Sequence, residues 1–183
     1  SYNPEAADKT YALNRFDMKW VDGGRYAILG PSGCGKTTML NIMSGIVRPS
    51  EGRLLFDGVD VTDHTTAERN IAQVFQFPVI YGTMTVQDNL AFPLVCRGYD
   101  KAFIKAKVAE VSEALNLEGL LTQSANKLTA DQKQLISLGR GLVRDNVAAV
   151  LMDEPLTVID PDLKFRLRRK LKEINQKYRS TLI

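Results

Sequence analysis

Two cysteines, one histidine and a net charge of only +3 in 183 residues rule out several kinds of protein at once. Cys34 and Cys96 cannot build a disulfide framework, so a reducing cytosol is the expected setting. So small a charge excess gives no reason to expect a nucleic-acid partner unless it is clustered into a patch. No apolar run approaches the ~18 residues needed to span a bilayer. The first residues are polar and lack the apolar stretch of a secretory leader. There is no internal repeat and no low-complexity linker. The lone histidine, His64, falls in a loop and is expected at the surface.

What is present suits one soluble domain with a proper core, since 44% of residues are hydrophobic and 25% charged. Strand, glycine loop and helix succeed one another, which argues for a largely parallel α/β sheet. Arg25–Leu29 reads as a buried strand, followed by a helix from about Lys36 to Ser44 that Gly45 terminates. Leu54–Phe56 and Ile71–Phe75 read as short strands, with a turn at Asp57-Gly58. From about Thr85 to Arg144 the pattern turns helical, and Ile104, Val108, Val111 and Leu115 make one apolar stripe. Val147–Met152 reads as a central strand ending in Asp153-Glu154. A last helix is expected over Asp162–Tyr178, with Leu163, Leu167, Leu171 and Ile174 on one face and a basic, solvated opposite face. Thr181-Leu182-Ile183 reads as the beginning of a strand. Together with a first residue that is not methionine, it suggests a fragment cut from a longer polypeptide.

Gly30-Pro31-Ser32-Gly33-Cys34-Gly35-Lys36-Thr37 matches the P-loop pattern in full. Glycines let successive backbone N–H groups turn toward phosphate oxygens, and the following helix presents its positive end to the same anion. Lys36 would add a point charge on the β- and γ-phosphates of ATP, and Thr37 a hydroxyl for Mg²⁺. Asp153, at the end of an apolar run, would hold the metal, and Glu154 would act as general base on the attacking water. Paired acids at a strand end can also merely cap a helix. The complete P-loop upstream favours the metal reading.

These residues together resemble the nucleotide-binding domain of ABC transporters, over nearly the whole chain. The resemblance implies a P-loop NTPase fold, an α/β core with an inserted helical subdomain. The core is expected at about 1–84 and 145–183, with a partial antiparallel β part, and the helical subdomain at about 85–144. Gly30 to Thr38 resembles the Walker A segment, with Gly30, Ser32, Gly33, Cys34, Gly35, Lys36, Thr37 and Thr38 as nucleotide contacts. Ala148 to Glu154 resembles Walker B. Gln76 sits where the family places the Q-loop glutamine, a ligand of Mg²⁺ and sensor of the γ-phosphate. Leu156 to Asp160 resembles the D-loop. Tyr2 is the candidate for stacking on adenine, with Tyr11 as competitor. The segments Gly30–Thr38 and Thr85–Leu90 are similar to those of carbohydrate- and glycerol-uptake importers. The resemblance therefore implies ATP and Mg²⁺ as cofactors, transmembrane permease subunits and a second ATPase domain as partners, and a peripheral place on the cytoplasmic face of the inner membrane. The apolar segment Phe77–Tyr81 suits docking of a membrane subunit.

Two features depart from the family pattern. The signature segment, normally Leu-Ser-Gly-Gly-Gln, reads Leu128-Thr129-Ala130-Asp131-Gln132. Thr129 and Gln132 are its candidate contacts to the partner's nucleotide, and Asp131 brings an anion toward a polyanion. Two like charges ~4 Å apart repel by ~1 kcal/mol in water and ~4 kcal/mol at an effective dielectric of 20. Thr129-x-x-Gln132 is also a capping-box pattern, and Asp131 suits a first helical turn. The second departure is that the family's switch histidine lies past the last residue, Ile183. Alternatives remain: a nucleotide-binding regulator with little turnover, or a soluble ABC ATPase outside transport. Repair-type ATPases insert long coiled coils between positions that here are 76 and 128, only 52 apart.

Overall fold

The computed structural model describes residues 11–144, 147–157, 159–161, 164–165, 168–169, 172 and 181–183. Among them, five α-helices, four short strands and two 3-10 turns are delimited, and their boundaries follow from local chemistry. Helix α1, Lys36–Ser44, begins after Gly35 and stops at Gly45, both left-handed at φ 97° and 85°. A Cβ on Gly35 would lie 2.6 Å from the Ala12 carbonyl oxygen, so only glycine fits that start.

Strands β1, Leu55–Phe56, and β2, Val59–Asp60, form an antiparallel hairpin closed by Asp57-Gly58. Both turn residues have positive φ, which matches the strand twist of a two-residue hairpin. Helix α2, Thr66–Arg69, opens with a capping box between Thr65 and Glu68. Strand β3 is Ala72–Val74, and α3, Val86–Val95, has a second capping box from Thr85 and Asp88. Helix α4, Lys101–Ala114, is capped by Asp100, whose carboxylate accepts from the Ala102 and Phe103 amides. Helix α5 is Ala130–Leu142 and strand β4 is Val150–Met152. No helix among the described residues is long and apolar enough to cross a membrane.

The sheet runs parallel. Ala72, Gln73 and Val74 pair with Val150, Leu151 and Met152. Leu182 bridges on to Val150 and to Arg25, also parallel, so the lateral order is β3, β4, Leu182, Arg25. Alternation of side chains along the strands then sends two sets to opposite faces of the sheet. Ile71, Ala149, Leu151 and Ile183 pack with Met39, Leu40 and Met43 of α1. On the other face, Val74 joins Leu90, Val108, Val111, Leu115, Ile136 and Leu138 from α3, α4 and α5. A Cβ on Gly141 would sit 3.0 Å from Val74 Cγ2, which shows how closely α5 lies on the sheet. Burying each large side chain here contributes about 1.5–3 kcal/mol. The stripe expected on α4 is observed: Val108, Val111 and Leu115 are buried, with Ile104 packed against the same cluster.

Arg25–Leu29 is not a buried strand. Its pairing is a single bridge, in which the Tyr26 amide donates to Leu182 and the Leu182 amide donates to Gly24. Among the described residues no further pairing is seen opposite Ile28 and Leu29, and Leu29 is 91% exposed. The strand expected at Val147–Met152 is confined to its last three residues. Most of the helix expected over 162–178 lies outside the described residues, although Lys164, Phe165, Arg168, Arg169 and Lys172 are helical.

Candidate functional site

The glycine loop leads directly into α1. Gly33 is left-handed at φ 80° and Gly35 at φ 97°, and Cys34 between them donates its amide to the Pro31 carbonyl. This alternation gathers backbone N–H groups into a concave nest at the positive end of a helix. Lys36 folds back over the loop, its Nζ donating to the Gly30 and Pro31 carbonyls at 2.9 and 3.0 Å. Gly30, Ser32, Gly33 and Cys34 are exposed, and Gly35, Lys36 and Thr38 half-buried.

Thr37, one residue into α1, donates its hydroxyl to Asp153 Oδ2 at 2.8 Å. The pair is brought together because α1 packs across β4, whose last residue precedes Asp153. Asp153 is buried, and its amide donates to the Val74 carbonyl, which carries the sheet pairing one residue further. A hydroxyl and a carboxylate side by side form an oxygen donor set that suits a small hard cation. Mg²⁺ characteristically uses one or two carboxylates and takes its remaining ligands from water and phosphate. The residues present therefore fit that ion.

Glu154 follows with φ 47°, a left-handed conformation unusual for a side chain other than Asn, Asp or Gly. Its carboxylate is exposed and lies 3.3 Å from the Thr157 hydroxyl, which also donates to the Glu154 carbonyl at 3.0 Å. Gln76 lies two residues beyond β3 as Glu154 lies two beyond β4. The two segments are joined by Gln134 of α5, whose Nε2 donates to Phe75 O at 3.2 Å and Pro155 O at 2.9 Å. Sequence reading missed Gln134. The available signal was one amide set in the apolar run Leu135, Ile136, Leu138.

Thr129 and Gln132 stand at the start of α5 in a closed capping box. Thr129 Oγ1 accepts from the Gln132 amide, and Gln132 Oε1 accepts from the Thr129 amide at 3.0 Å. Asp131 occupies the first turn as expected. Beyond Gln76, the segment 77–81 is gripped from two helices. Ser137 Oγ accepts from the Val79 amide, Arg140 donates to the Val79 carbonyl, and Asn89 of α3 exchanges two bonds with the Tyr81 backbone. Phe77 and Val79 remain 70% and 50% exposed.

Tyr2 lies outside the described residues. Tyr11 donates its hydroxyl to Glu51 at 2.9 Å. That bond raises the pKa of the phenol, the side-chain hydrogen bond being the main cause. His64 is exposed.

Residues 13–157 match a family model described as ABC transporter. The chain is 35% identical over 182 residues to the sn-glycerol-3-phosphate import ATP-binding protein UgpC of Yersinia enterocolitica, covering 97% of this chain and 50% of that protein. It is 36% identical over 173 residues to the protein of the same name from Pectobacterium atrosepticum, covering 94% and 48%. The chain thus spans about half the length of the curated relatives it matches. Among solved structures, a dimeric ATP-binding cassette in a post-hydrolysis state, bound to ADP and Pi, superposes with a TM-score of 0.86 at 25% identity. That match covers 98% of this chain and 82% of the other. A nucleotide-free ATP-binding cassette from an ABC transporter gives 0.78 at 28% identity, covering 94% and 74%.

Proposed function

The chain belongs to the ABC transporter family of P-loop ATPases, and from that premise we propose that it binds and hydrolyses ATP to drive a solute importer of the sugar or glycerol type. The observation that carries the reading is the 2.8 Å bond between Thr37 and Asp153, which joins the phosphate-binding helix to the end of the central strand. Gly30, Ser32, Gly33, Cys34, Gly35 and Thr38 would offer the phosphates their backbone and hydroxyl donors, and Lys36 its ammonium. Thr37 and Asp153, with Gln76, would hold Mg²⁺. The ion's contribution when bound is a counter-charge on the β- and γ-phosphate oxygens. Glu154 would take the proton of a water aligned with the γ-phosphate, and the amides of the nest would stabilise the charge that develops.

The partners follow from the same premise. Thr129 and Gln132, at the open end of α5, would meet the nucleotide of a second ATPase domain. The exposed side chains of 77–81 would receive a permease subunit at the cytoplasmic face of the membrane. The core at about 1–84 and 145–183 would carry the nucleotide, and the helical part at about 85–144 would move with the permease. Asp131 lies beside Thr129 and Gln132, so a homodimer would place this acid in both composite sites. We favour a heterodimer in which the second ATPase brings an ordinary signature. The test is ATP hydrolysis by the purified protein over a range of concentrations, with and without EDTA. Slow turnover that depends on Mg²⁺ and grows only linearly with protein fits this reading. Steep growth with concentration removes the obligatory heterodimer, and turnover indifferent to EDTA contradicts the metal site.

A further inference from the structure

One buried amide group on α5 spans the two segments that carry Gln76 and Glu154. Gln134 is fully buried, and its single –NH₂ donates to Phe75 O, the carbonyl before Gln76, and to Pro155 O, the carbonyl after Glu154. These partners lie 59 and 21 positions away in sequence, so no local rule of helix or turn calls for an amide here. Two divergent protons on one atom are what the geometry uses. A carboxylate would oppose both carbonyls, and an aliphatic side chain would leave both without a partner. The other end of the amide is unpaired: Gln134 Oε1 is buried with no hydrogen bond to any described residue. An apolar residue of the same size would avoid that cost, so packing alone does not explain the glutamine.

Its neighbours on the helix sharpen the point. At the next two turns of the same face, Ser137 and Arg140 reach the backbone of Val79, and Arg140 also lies 4.5 Å above the Tyr81 ring. Among the described residues, the hydrogen bonds and ring contact of those two go to the segment after Gln76. Among the described residues of this row, Gln134 alone also reaches the turn at Glu154, whose backbone is held left-handed. It stands about 7 Å along the helix from Thr129, at a rise of 1.5 Å per residue.

We propose that Gln134 is a positioning residue that sets the backbones of Gln76 and Glu154 together, so that a shift of α5 moves the metal-side glutamine and the general base as one unit. The inference rests on the ATPase reading above. Gln134 touches neither substrate nor metal, and it acts through the Phe75 and Pro155 carbonyls.

The experiment compares Gln134→Met and Ser137→Ala with the unaltered protein and with Glu154→Gln. It reads ATP affinity, single-turnover hydrolysis and amide hydrogen exchange. In Gln134→Met, exchange should quicken in both 75–81 and 153–159. Hydrolysis should fall about tenfold or more, as for a misplaced catalytic group, while the Kd for ATP changes less than about threefold. Ser137→Ala should quicken exchange in 75–81 alone and hold its rate within about twofold. Gln134→Asn, whose amide is one methylene short of both carbonyls, should behave like the methionine variant and serves if that variant does not fold. Exchange unchanged in either segment, or faster exchange with an unchanged rate, overturns the proposal. If the unaltered protein and Glu154→Gln hydrolyse ATP equally, the ATPase reading fails, and the exchange data still decide whether Gln134 ties the two segments.

Discussion

The hydroxyl of Thr37 donates to the carboxylate of Asp153 across 116 positions of sequence, at 2.8 Å. The bond fastens the first turn of α1 to the end of β4, and it holds a buried carboxylate with no cationic side chain bonded to it among the described residues. Such a group costs folding free energy unless a cation arrives. Asp153→Asn keeps an acceptor for Thr37 and removes the charge. Thermal unfolding should therefore occur at the same temperature or higher, while Mg²⁺-dependent hydrolysis falls about 100-fold or more. A loss of stability with hydrolysis retained would contradict the assignment.

Asp131 sits in the first turn of α5, where its charge favours its own helix end. Near a nucleotide on a second subunit the same charge is unfavourable, by about 1–4 kcal/mol over the relevant range of dielectric. Asp131→Gly should lower the melting temperature slightly and raise the hydrolysis rate only modestly, since the proposed heterodimer would keep this chain's own P-loop site intact. A very large rise in the isolated homodimer, measured by phosphate release, would count against the heterodimer.

Arg69 ties α1 to the hairpin. Its guanidinium donates to the carbonyls of Ile42, Met43, Thr62 and His64, and it stands at the negative end of the helix that follows the P-loop. Burial lowers its pKa, partly offset by Asp63. Removing it leaves the carbonyls of Met43, Thr62 and His64 without this donor and Ile42 with only the Gly45 amide, so Arg69→Ala should cost about 3 kcal/mol. That corresponds to a fall in melting temperature of roughly 6–12 °C for a chain of this size, read by calorimetry. A fall of under about 2 °C would show that solvent replaces the guanidinium at these carbonyls.

Much of this was legible in the sequence because it is local. The end of α1 at Gly45, the Asp57-Gly58 turn and the Thr129–Gln132 capping box each depend on residues within four positions of one another, and the glycine loop is one continuous run, Gly30–Thr37. That the sheet is largely parallel followed from apolar runs separated by helices, while the pairing of β3 with β4 is given by the structure. Arg25–Leu29 misled because its composition is that of a strand, while the pairing seen among the described residues is one bridge from Arg25 to the sequence-distant Leu182. For Gln134 the sequence offered only an amide beside an apolar run, because the two carbonyls it meets come from remote segments.

Acid should weaken the small α2 region first. The Glu68 pKa is lowered by hydrogen bonds from the Thr65 amide and hydroxyl, and the Asp60 pKa by those of Thr62. A depressed carboxylate contributes stability above its ordinary range and loses it as pH falls through the folded value. Glu68→Gln should therefore narrow its deficit against the unaltered protein as pH is lowered from about 6 to about 3, followed by melting temperature. A constant deficit across that window would show that the charged form is not what Thr65 holds.

The central claim is that Glu154 is the base of an ATPase built on Lys36, Thr37 and Asp153. The most direct measurement is hydrolysis by the purified protein and by Glu154→Gln at saturating ATP and Mg²⁺, with ATP affinity measured on both. The account predicts that the variant binds ATP at least as tightly and turns it over at least about 100-fold more slowly. A variant that binds equally well and hydrolyses at the original rate would contradict it.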